Sequence, residues 1–257
     1  MSDRTTDLSA IGHTVIAVLY SLLFKPIMRH YRVQRHSTGV SEANVTETWD
    51  RHSAPGTKGR VLHSAAGYDL LAWLILLGRE CAFRDRLVQL ARLEPGQSVL
   101  DIGCGTGSLA IAAKRRAGPF GSVHGIDASP EMIARARKKA GKAGVDVTFT
   151  NGVVKGLPFP DEHFDAVLST LMLHHLPRTA REQCVREVRR VLRPGGRALA
   201  VDFGGATGDR KSLIEHFHRH GRVDVLDIVK LFREAGLEII ESGPVGVRDL
   251  NFVLATA

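Results

Sequence analysis

The chain has 257 residues, of which 44% are hydrophobic and 24% charged, a balance that suits one globular α/β domain with an appendage. Its three cysteines lie far apart and form no Cys-x-x-Cys pair, which argues against a disulfide framework or zinc site and favours a reducing cytosol. The net charge of +8 is compatible with binding to nucleic acid, to a membrane or to an anionic substrate. The arginines lack the interleaved aromatic residues of a nucleic-acid-binding protein, so nucleic acid is not expected as a partner.

The first predicted element is an apolar segment over residues 8–24 that contains no Asp, Glu, Lys or Arg. Basic residues follow it: Lys25, Arg29, Arg32 and Arg35. The segment is of borderline length for a membrane-spanning helix, so an interfacial helix and a helix packed on protein remain alternatives. We expect residues 1–36 to contact a membrane surface or to act as a single anchor. A spanning segment with this basic flank would leave the rest of the chain at the cytoplasmic face.

Residues 37–62 are predicted to be a linker, because residues 53–59 are rich in Ser, Pro and Gly. The remaining domain, residues 63–257, begins with a second apolar run at residues 70–77, which is too short to span a membrane. This run opens a predicted helix that continues to residue 90. Its apolar excess is typical of core packing and also fits a hydrophobic ligand.

A glycine turn follows the first predicted strand. Residues 99–107 read Val-Leu-Asp-Ile-Gly-Cys-Gly-Thr-Gly, and Asp127 ends the next strand about twenty residues later. Glycines bring bare backbone against a ligand, and an acid at that strand end can bind ribose hydroxyls. Ser108 stands where a dinucleotide fingerprint has its third glycine, which argues against a nicotinamide-dependent oxidoreductase. No Gly-Lys-Ser/Thr follows, so a phosphate-binding P-loop is excluded as well.

Strand and helix patterns then alternate. Strands are predicted at 98–102, 122–126, 145–150, 164–170 and 197–203, and helices at 106–117, 130–143 and 178–192. Residues 193–196, Arg-Pro-Gly-Gly, are predicted to stop a helix and turn into the fifth strand. A helix at 223–235 and two strands, Leu237–Ser242 and Leu250–Thr256, complete the chain. The alternation predicts a doubly wound, mostly parallel α/β sheet with helices on both faces.

At these residues the chain resembles the class I S-adenosylmethionine-dependent methyltransferases. The resemblance rests on the glycine string, Gly125-Ile126-Asp127, Ser129–Met132, Leu157-Pro158-Phe159, Phe164–Val167, Leu173–Leu176 and Leu192–Gly196. The order of these motifs is most similar to the ubiquinone/menaquinone-biosynthesis C-methyltransferase branch. The resemblance implies a Rossmann-like sheet of seven strands whose last strand is antiparallel, and S-adenosyl-L-methionine as the cofactor.

The resemblance also implies cofactor contacts. Asp101 orients the glycine turn and the cofactor's ammonium, and the turn itself lines the methionine portion through Gly103, Cys104 and Gly105. Cys104 is expected to be a small packing residue, since no base partner for a nucleophilic thiol can be identified. Asp127 binds ribose, with a helix cap as the alternative interpretation. The other implied contacts are Tyr68, Ala128, Met132, Asn151, Gly152, Val153 and Thr170.

Two of these contacts have alternative interpretations. Met132 is expected against the adenine ring, although methionine fills cores equally well. Many relatives carry an acid where this chain has Asn151, but the Asn151 amide oxygen can still accept the adenine amino group.

His174 and His175 are the candidate catalytic residues, because they leave the fourth strand where an acceptor should approach the methyl group. A histidine there could take a proton from a phenol, enol or ammonium acceptor. The alternative is that the pair only orders the loop, since methyl transfer can be catalysed by alignment and desolvation alone.

Residues 204–209 are glycine-rich and suggest a mobile cover over the pocket. The alternating histidines that follow, His216, His218 and His220, invite a metal interpretation. No metal site is expected, because nothing in the sequence indicates which way these side chains face.

The sequence thus predicts a methyltransferase that acts on a hydrophobic small molecule, with C-methylation of a quinone-type or prenylated ring favoured. O- or N-methylation of a lipid or natural product is the first alternative. A non-catalytic, cofactor-binding membrane subunit is the second. The sequence does not indicate an oligomeric state.

Overall fold

The computed structural model describes residues 80–204, 223–247 and 250–257. The predictions for residues 1–36, the linker 37–62, Tyr68, the apolar run 70–77, the cover beyond Gly204 and the histidines at 216–220 lie outside these ranges. Within them, no helix is both long and apolar enough to cross a membrane.

The described residues form five α-helices, a short 3-10 helix over Leu173–His175 and seven strands. The helices are α1 (Glu80–Leu90), α2 (Ser108–Ala117), α3 (Pro130–Ala143), α4 (Arg178–Val191) and α5 (Val225–Glu234). The strands are β1 (Ser98–Ile102), β2 (Ser122–Asp127), β3 (Thr148–Asn151), β4 (Phe164–Thr170), β5 (Leu192–Phe203), β6 (Glu238–Pro244) and β7 (Leu250–Thr256).

The strands form one sheet in the order β3-β2-β1-β4-β5-β7-β6. Neighbours from β3 through β5 are parallel, whereas β7 pairs antiparallel with both β5 and β6. The predicted Rossmann-like sheet with an antiparallel last strand is therefore confirmed. Strand order reverses between β1 and β4, and ligands of such sheets bind beyond the carboxyl ends at this switch point.

The sheet separates two apolar cores, because successive strand residues point to opposite faces. Val99 of β1 packs with Phe83 and Leu87 of α1 and with residues of α2 and α3. Leu100 and Ile102, which alternate with Val99, pack with residues of α4 and α5. Both faces of the central strands are thus covered, as expected for parallel strands.

Five predicted elements have a boundary that is wrong by two or more residues; two of them are α5, which begins at Val225 rather than 223, and β6, which ends at Pro244 rather than Ser242. Helix α2 begins at Ser108 rather than 106, since Gly107 still belongs to the turn, with a φ of +78°. Strand β3 covers Thr148–Asn151 rather than 145–150. Strand β5 begins at Leu192 rather than 197.

The β5 error has a structural reason. Phe164 of β4 pairs with Leu192 and Ala166 with Arg197, so the Arg-Pro-Gly-Gly stretch is an irregularity inside the strand instead of a turn before it. Asp165 anchors this region, because its carboxylate accepts hydrogen bonds from the Ser98 backbone N–H (2.7 Å) and from Arg193 (2.7 Å).

Candidate active site

The glycine turn joins β1 to α2 at the switch point of the sheet. Gly103, Gly105 and Gly107 all have positive φ (+65°, +52° and +78°), a conformation that favours glycine. The backbone N–H groups of Gly103 and Cys104 both donate to the Ile126 carbonyl (2.8 and 3.1 Å), which ties the turn to β2. The turn therefore presents bare backbone at the end of β1.

Asp127, the last residue of β2, links the glycine turn to the residue that precedes α3. Its carboxylate accepts from the backbone N–H of Gly105 (2.9 Å) and from that of Ser129 (2.9 Å). Burial raises the pKa of Asp127, and these two hydrogen bonds oppose that rise. The cap of α3 is Ser129, whose hydroxyl accepts from the Met132 N–H, so Asp127 is not itself the helix cap. Each carboxylate oxygen keeps a second lone pair that can accept a ribose hydroxyl.

Asn151 lies beside Asp127 on the neighbouring strand. The Asn151 Nδ2 and the Gly152 N–H both donate to the Asp127 carbonyl (2.9 and 3.0 Å). With its amide nitrogen so engaged, the Asn151 oxygen is the atom left to accept an adenine amino group.

The other residues predicted near adenine differ in exposure. Met132 is buried, which fits either of its predicted roles, whereas Ala128 and Val153 are partly exposed. A Cβ on Gly152 would come within 2.8 Å of the Ile126 side chain, so this close approach requires glycine.

Asp101, one residue before the end of β1, is buried with 2% of its surface exposed. Burial raises its pKa to about 7; nearby Arg84 and the Ala110 backbone lower it, and Asp127 raises it further. Its Oδ2 atom makes no hydrogen bond with any described residue. Burial and the carboxyls of Asp101 and Asp127 raise the pKa of the Cys104 thiol well above its usual range, which fits packing rather than nucleophilic chemistry.

Beyond β4 the chain turns sharply toward the glycine turn. Leu171 has a φ of +54°, an uncommon conformation for a branched side chain, and its N–H donates to the Val201 carbonyl (2.8 Å). The next residue, Met172, packs so closely on Gly103 that a Cβ there would collide with it. The segment carrying the two histidines is thereby held against the glycine turn. Thr170 precedes it, and its buried hydroxyl makes no hydrogen bond with described residues.

His174 pairs with Asp202, a residue that the sequence reasoning missed. The His174 Nδ1 lies 2.6 Å from Asp202 Oδ1, and the His174 backbone N–H donates to Oδ2 (3.1 Å). Both side chains are buried, with 7% and 1% exposed. Because a carboxylate only accepts, the His174 Nδ1 carries the proton of this hydrogen bond.

The Asp202 carboxylate also accepts from the Phe203 N–H (2.9 Å), and the Phe203 ring packs edge-on to His174 at 5.2 Å. The His175 ring lies 4.0 Å from that of His174. In the sequence, Asp202 is an acid near the end of the predicted fifth strand. Its pairing with His174 can be inferred only once the fifth strand is known to lie beside the fourth.

Residues 99–196 match the model of a methyltransferase domain. The matched range contains the glycine turn, Asp127, Asn151 and both histidines, whereas Arg84 and Asp202 lie outside it.

Curated relatives agree with the predicted branch. The chain is 40% identical over 139 residues to the demethylmenaquinone methyltransferase of Thermus thermophilus. This match covers 54% of this chain and 62% of the relative. It is 36% identical over 144 residues to the ubiquinone/menaquinone biosynthesis C-methyltransferase UbiE of Bordetella avium, which covers 56% of each chain. The chain thus spans less than two thirds of the length of these relatives.

Solved structures share the fold of this chain. A SAM dependent methyltransferase from Aquifex aeolicus is similar with a TM-score of 0.62 and 21% identity, over 76% of this chain and 98% of that one. A putative methyltransferase from Bacillus halodurans is similar with a TM-score of 0.54 and 28% identity, over 62% and 71%.

Proposed function

We propose that this protein is an S-adenosylmethionine-dependent methyltransferase that acts on a hydrophobic small molecule. The observation that carries the proposal is the Asp127 carboxylate, which holds the glycine turn on one side and the start of α3 on the other. This places an acidic acceptor beside bare backbone at the switch point, where a nucleoside-containing cofactor binds.

The residues of the site fit this cofactor. Asp127 would hold the ribose, Asn151 and Met132 the adenine, and the glycine turn the methionine portion. The unpartnered oxygens of Asp101 and Thr170 are buried polar atoms, which cost free energy unless a ligand satisfies them. When bound, the cofactor supplies an electrophilic methyl group on a sulfonium.

His174 is suited to remove a proton from the methyl acceptor. Asp202 holds the imidazole through Nδ1, and in this proposal Nε2 is the ring nitrogen that takes the proton of the methyl acceptor. Proton removal from a phenol-type hydroxyl makes the oxygen and the adjoining ring carbons more nucleophilic. Asp202 acts through His174 and is a positioning residue.

The acceptor we favour is a quinone-type or prenylated ring that is methylated on carbon. The names of the two curated relatives support this class, and the proposed base His174 would take a phenolic proton from such an acceptor. O- or N-methylation of a lipid or natural product uses the same proton transfer and is the second candidate. We place the enzyme at the cytoplasmic face of a membrane, where residues 1–36 would meet the surface and where such acceptors reside.

The test is incubation of the purified full-length protein with methyl-labelled cofactor and a lipid-soluble extract, followed by identification of the labelled product. We expect a labelled ring compound, strongly reduced label with His174→Ala, and loss of cofactor binding by one to two orders of magnitude with Asp127→Ala. Cofactor binding without any labelled product would favour the non-catalytic subunit instead. Binding unchanged by Asp127→Ala would remove the ribose assignment.

A further inference from the structure

Asn251 of β7 lies directly opposite Asp202 in the sheet. The two residues are cross-strand partners in the antiparallel pairing of β5 with β7. Such partners have their side chains on the same face of the sheet, with Cβ atoms about 4.5–5.5 Å apart. On that face Val253 of β7 and Ala200 of β5 are buried in one core. Asn251 is therefore an immediate neighbour of the carboxylate that holds His174.

The Asn251 side chain reaches past the end of β5 to Gly204. A Cβ on Gly204 would collide with the Asn251 Nδ2 and would lie 2.8 Å from its Cγ, so the amide occupies space that a larger residue would fill. The Gly204 backbone is not in the left-handed region, and contact with the amide is thus what favours glycine here. The amide lies at the carboxyl end of β5, the end of the sheet that also carries His174.

No structural role within the described part of the chain explains this asparagine. Asparagine is depleted in β-strands, and the Asn251 amide makes no hydrogen bond with another described residue. The neighbouring Asp202 carboxylate is already bonded to His174 and Phe203. The Asn251 side chain is partly exposed, and its amide offers two N–H donors and a carbonyl acceptor. These polar atoms are thus accessible to a ligand that approaches His174.

We propose that Asn251 determines specificity for the methyl acceptor by binding its oxygen beside His174. The inference rests on the proposed function and adds the group that recognises the methyl acceptor. The Asn251 Nδ2 donates to a phenol-type oxygen while the His174 Nε2 takes the proton of that hydroxyl. The O–H bond breaks, its electron pair stays on the oxygen, and the amide hydrogen bond stabilises the resulting negative charge.

Fluorescence titration of the full-length protein, saturated with S-adenosylhomocysteine, tests this subsite with 1-naphthol and naphthalene. The two probes share a ring system and differ by one hydroxyl. We expect Asn251→Ala to weaken 1-naphthol binding about 3- to 10-fold, the effect of one hydrogen bond, and to leave naphthalene binding within about twofold. Retained S-adenosylhomocysteine binding shows that the variant is folded. Equal effects on the two probes overturn the proposal.

Gly204→Ala displaces the amide without removing it. The new Cβ meets the far end of the Asn251 side chain, which can rotate away at little cost in stability. We expect Gly204→Ala to weaken 1-naphthol binding as Asn251→Ala does, and to have no further effect when both substitutions are combined. Losses that add in the double variant contradict the assigned position of the amide. The matched control is Thr256→Val, at the opposite end of β7, which should bind both probes as the wild type does.

The outcomes separate this inference from the proposed function. A wild type that does not bind S-adenosylhomocysteine contradicts the proposed function itself. If the wild type binds S-adenosylhomocysteine but does not prefer 1-naphthol to naphthalene, the cofactor assignment stands and the Asn251 subsite is wrong. A preference for 1-naphthol that Asn251→Ala leaves intact leads to the same conclusion.

Discussion

Buried charges on two strand ends decide the chemistry of this site at the scale of single residues. Asp101 and Asp202 each have 2% of their surface exposed, yet their surroundings differ. Asp202 accepts hydrogen bonds from His174 and Phe203, whereas one oxygen of Asp101 has no partner among described residues. The Asp202 carboxylate is satisfied within the protein and holds the His174 side chain, whereas the proposed function assigns the Asp101 carboxylate to the cofactor.

Asp101 makes the stability of the ligand-free protein depend on pH. Its pKa is raised from 3.8 to about 7 in the folded protein, where Arg84, Asp127 and the Ala110 backbone face it. Between pH 4 and 7 the folded protein holds a proton that the unfolded chain has released, so this group lowers the free energy of unfolding as the pH rises through that window. Above pH 7 the stabilisation that comes from the proton on folded Asp101 is fully lost.

Asp101→Asn cannot ionise and removes this dependence. We expect the variant to gain stability relative to the wild type between pH 5 and pH 8, by a few kcal/mol at the higher pH. Urea denaturation at both pH values measures the difference. A difference that is the same at pH 5 and pH 8 would contradict the buried, proton-binding state of Asp101.

The His174–Asp202 pair predicts a separation of binding from turnover. His174→Ala should lower kcat by about 10²- to 10⁴-fold, the usual contribution of a positioned base, and leave cofactor affinity unchanged. Asp202→Asn should lower kcat less and shift its pH profile, because the amide still bonds Nδ1 but no longer stabilises the imidazolium. Steady-state kinetics with the identified acceptor provide the measurement. Full activity of His174→Ala would show that the histidine only orders its loop.

Among the secondary-structure elements, the contact between the β1–α2 turn and the segment after β4 joins the residues proposed to bind the cofactor to the histidines proposed as catalytic. Met172 packs on Gly103, and Leu171 adopts a positive φ so that the chain can make this contact. Such an uncommon conformation is retained where the surroundings fix it, often at functional sites. A substitution that disturbs the glycine turn should therefore also displace the segment after β4.

Gly103→Ala tests this coupling, and Gly118→Ala is the matched control. Both glycines have positive φ (+65° and +72°), but a Cβ at Gly118 meets nothing within 4 Å, whereas one at Gly103 collides with Met172. We expect Gly103→Ala to be less stable than the control by about 1–3 kcal/mol, the usual cost of overpacking, and to lose more activity. Urea denaturation and product formation measure the two effects. Equal losses in both variants would show that backbone strain alone matters.

The start of β5 was predicted wrongly because pairing between strands outweighs local composition there. A Pro-Gly-Gly run is a turn signal, and it predicted a strand beginning at 197. Leu192 nevertheless pairs with Phe164 before the run, so the strand contains the irregularity. The Pro-Gly-Gly composition correctly indicated an irregular backbone at this point. Pairing with β4 nevertheless makes the strand begin at Leu192, before that irregularity.

In the whole molecule, the net charge of +8 and the apolar segment at 8–24 bear on whether the protein binds a membrane surface. We expect the full-length protein to bind anionic vesicles more tightly than neutral ones, since each basic residue near such a surface contributes about 1 kcal/mol. Replacing the four basic residues after the apolar segment by Gln should reduce binding at least tenfold in a vesicle flotation assay: Lys25, Arg29, Arg32 and Arg35.

The control removes the same charge from exposed helix positions in the methyltransferase domain: Arg115, Lys138, Lys142 and Arg186. We expect it to bind vesicles nearly as the wild type does. Equal losses in the two variants would assign the attraction to the overall charge of the protein, and no loss in either would contradict the predicted membrane contact.

The sequence by itself determined the strand and helix alternation of the sheet and the residues proposed to hold the cofactor. Those features depend on local chemistry: alternation of apolar residues, glycines that permit a positive φ, and an acid at a fixed distance from them. Only the tertiary structure decided that Asp202 holds His174 and that Met172 packs on Gly103. The two residues of each pair lie on segments that other elements separate in the chain, so local sequence patterns do not reveal either contact.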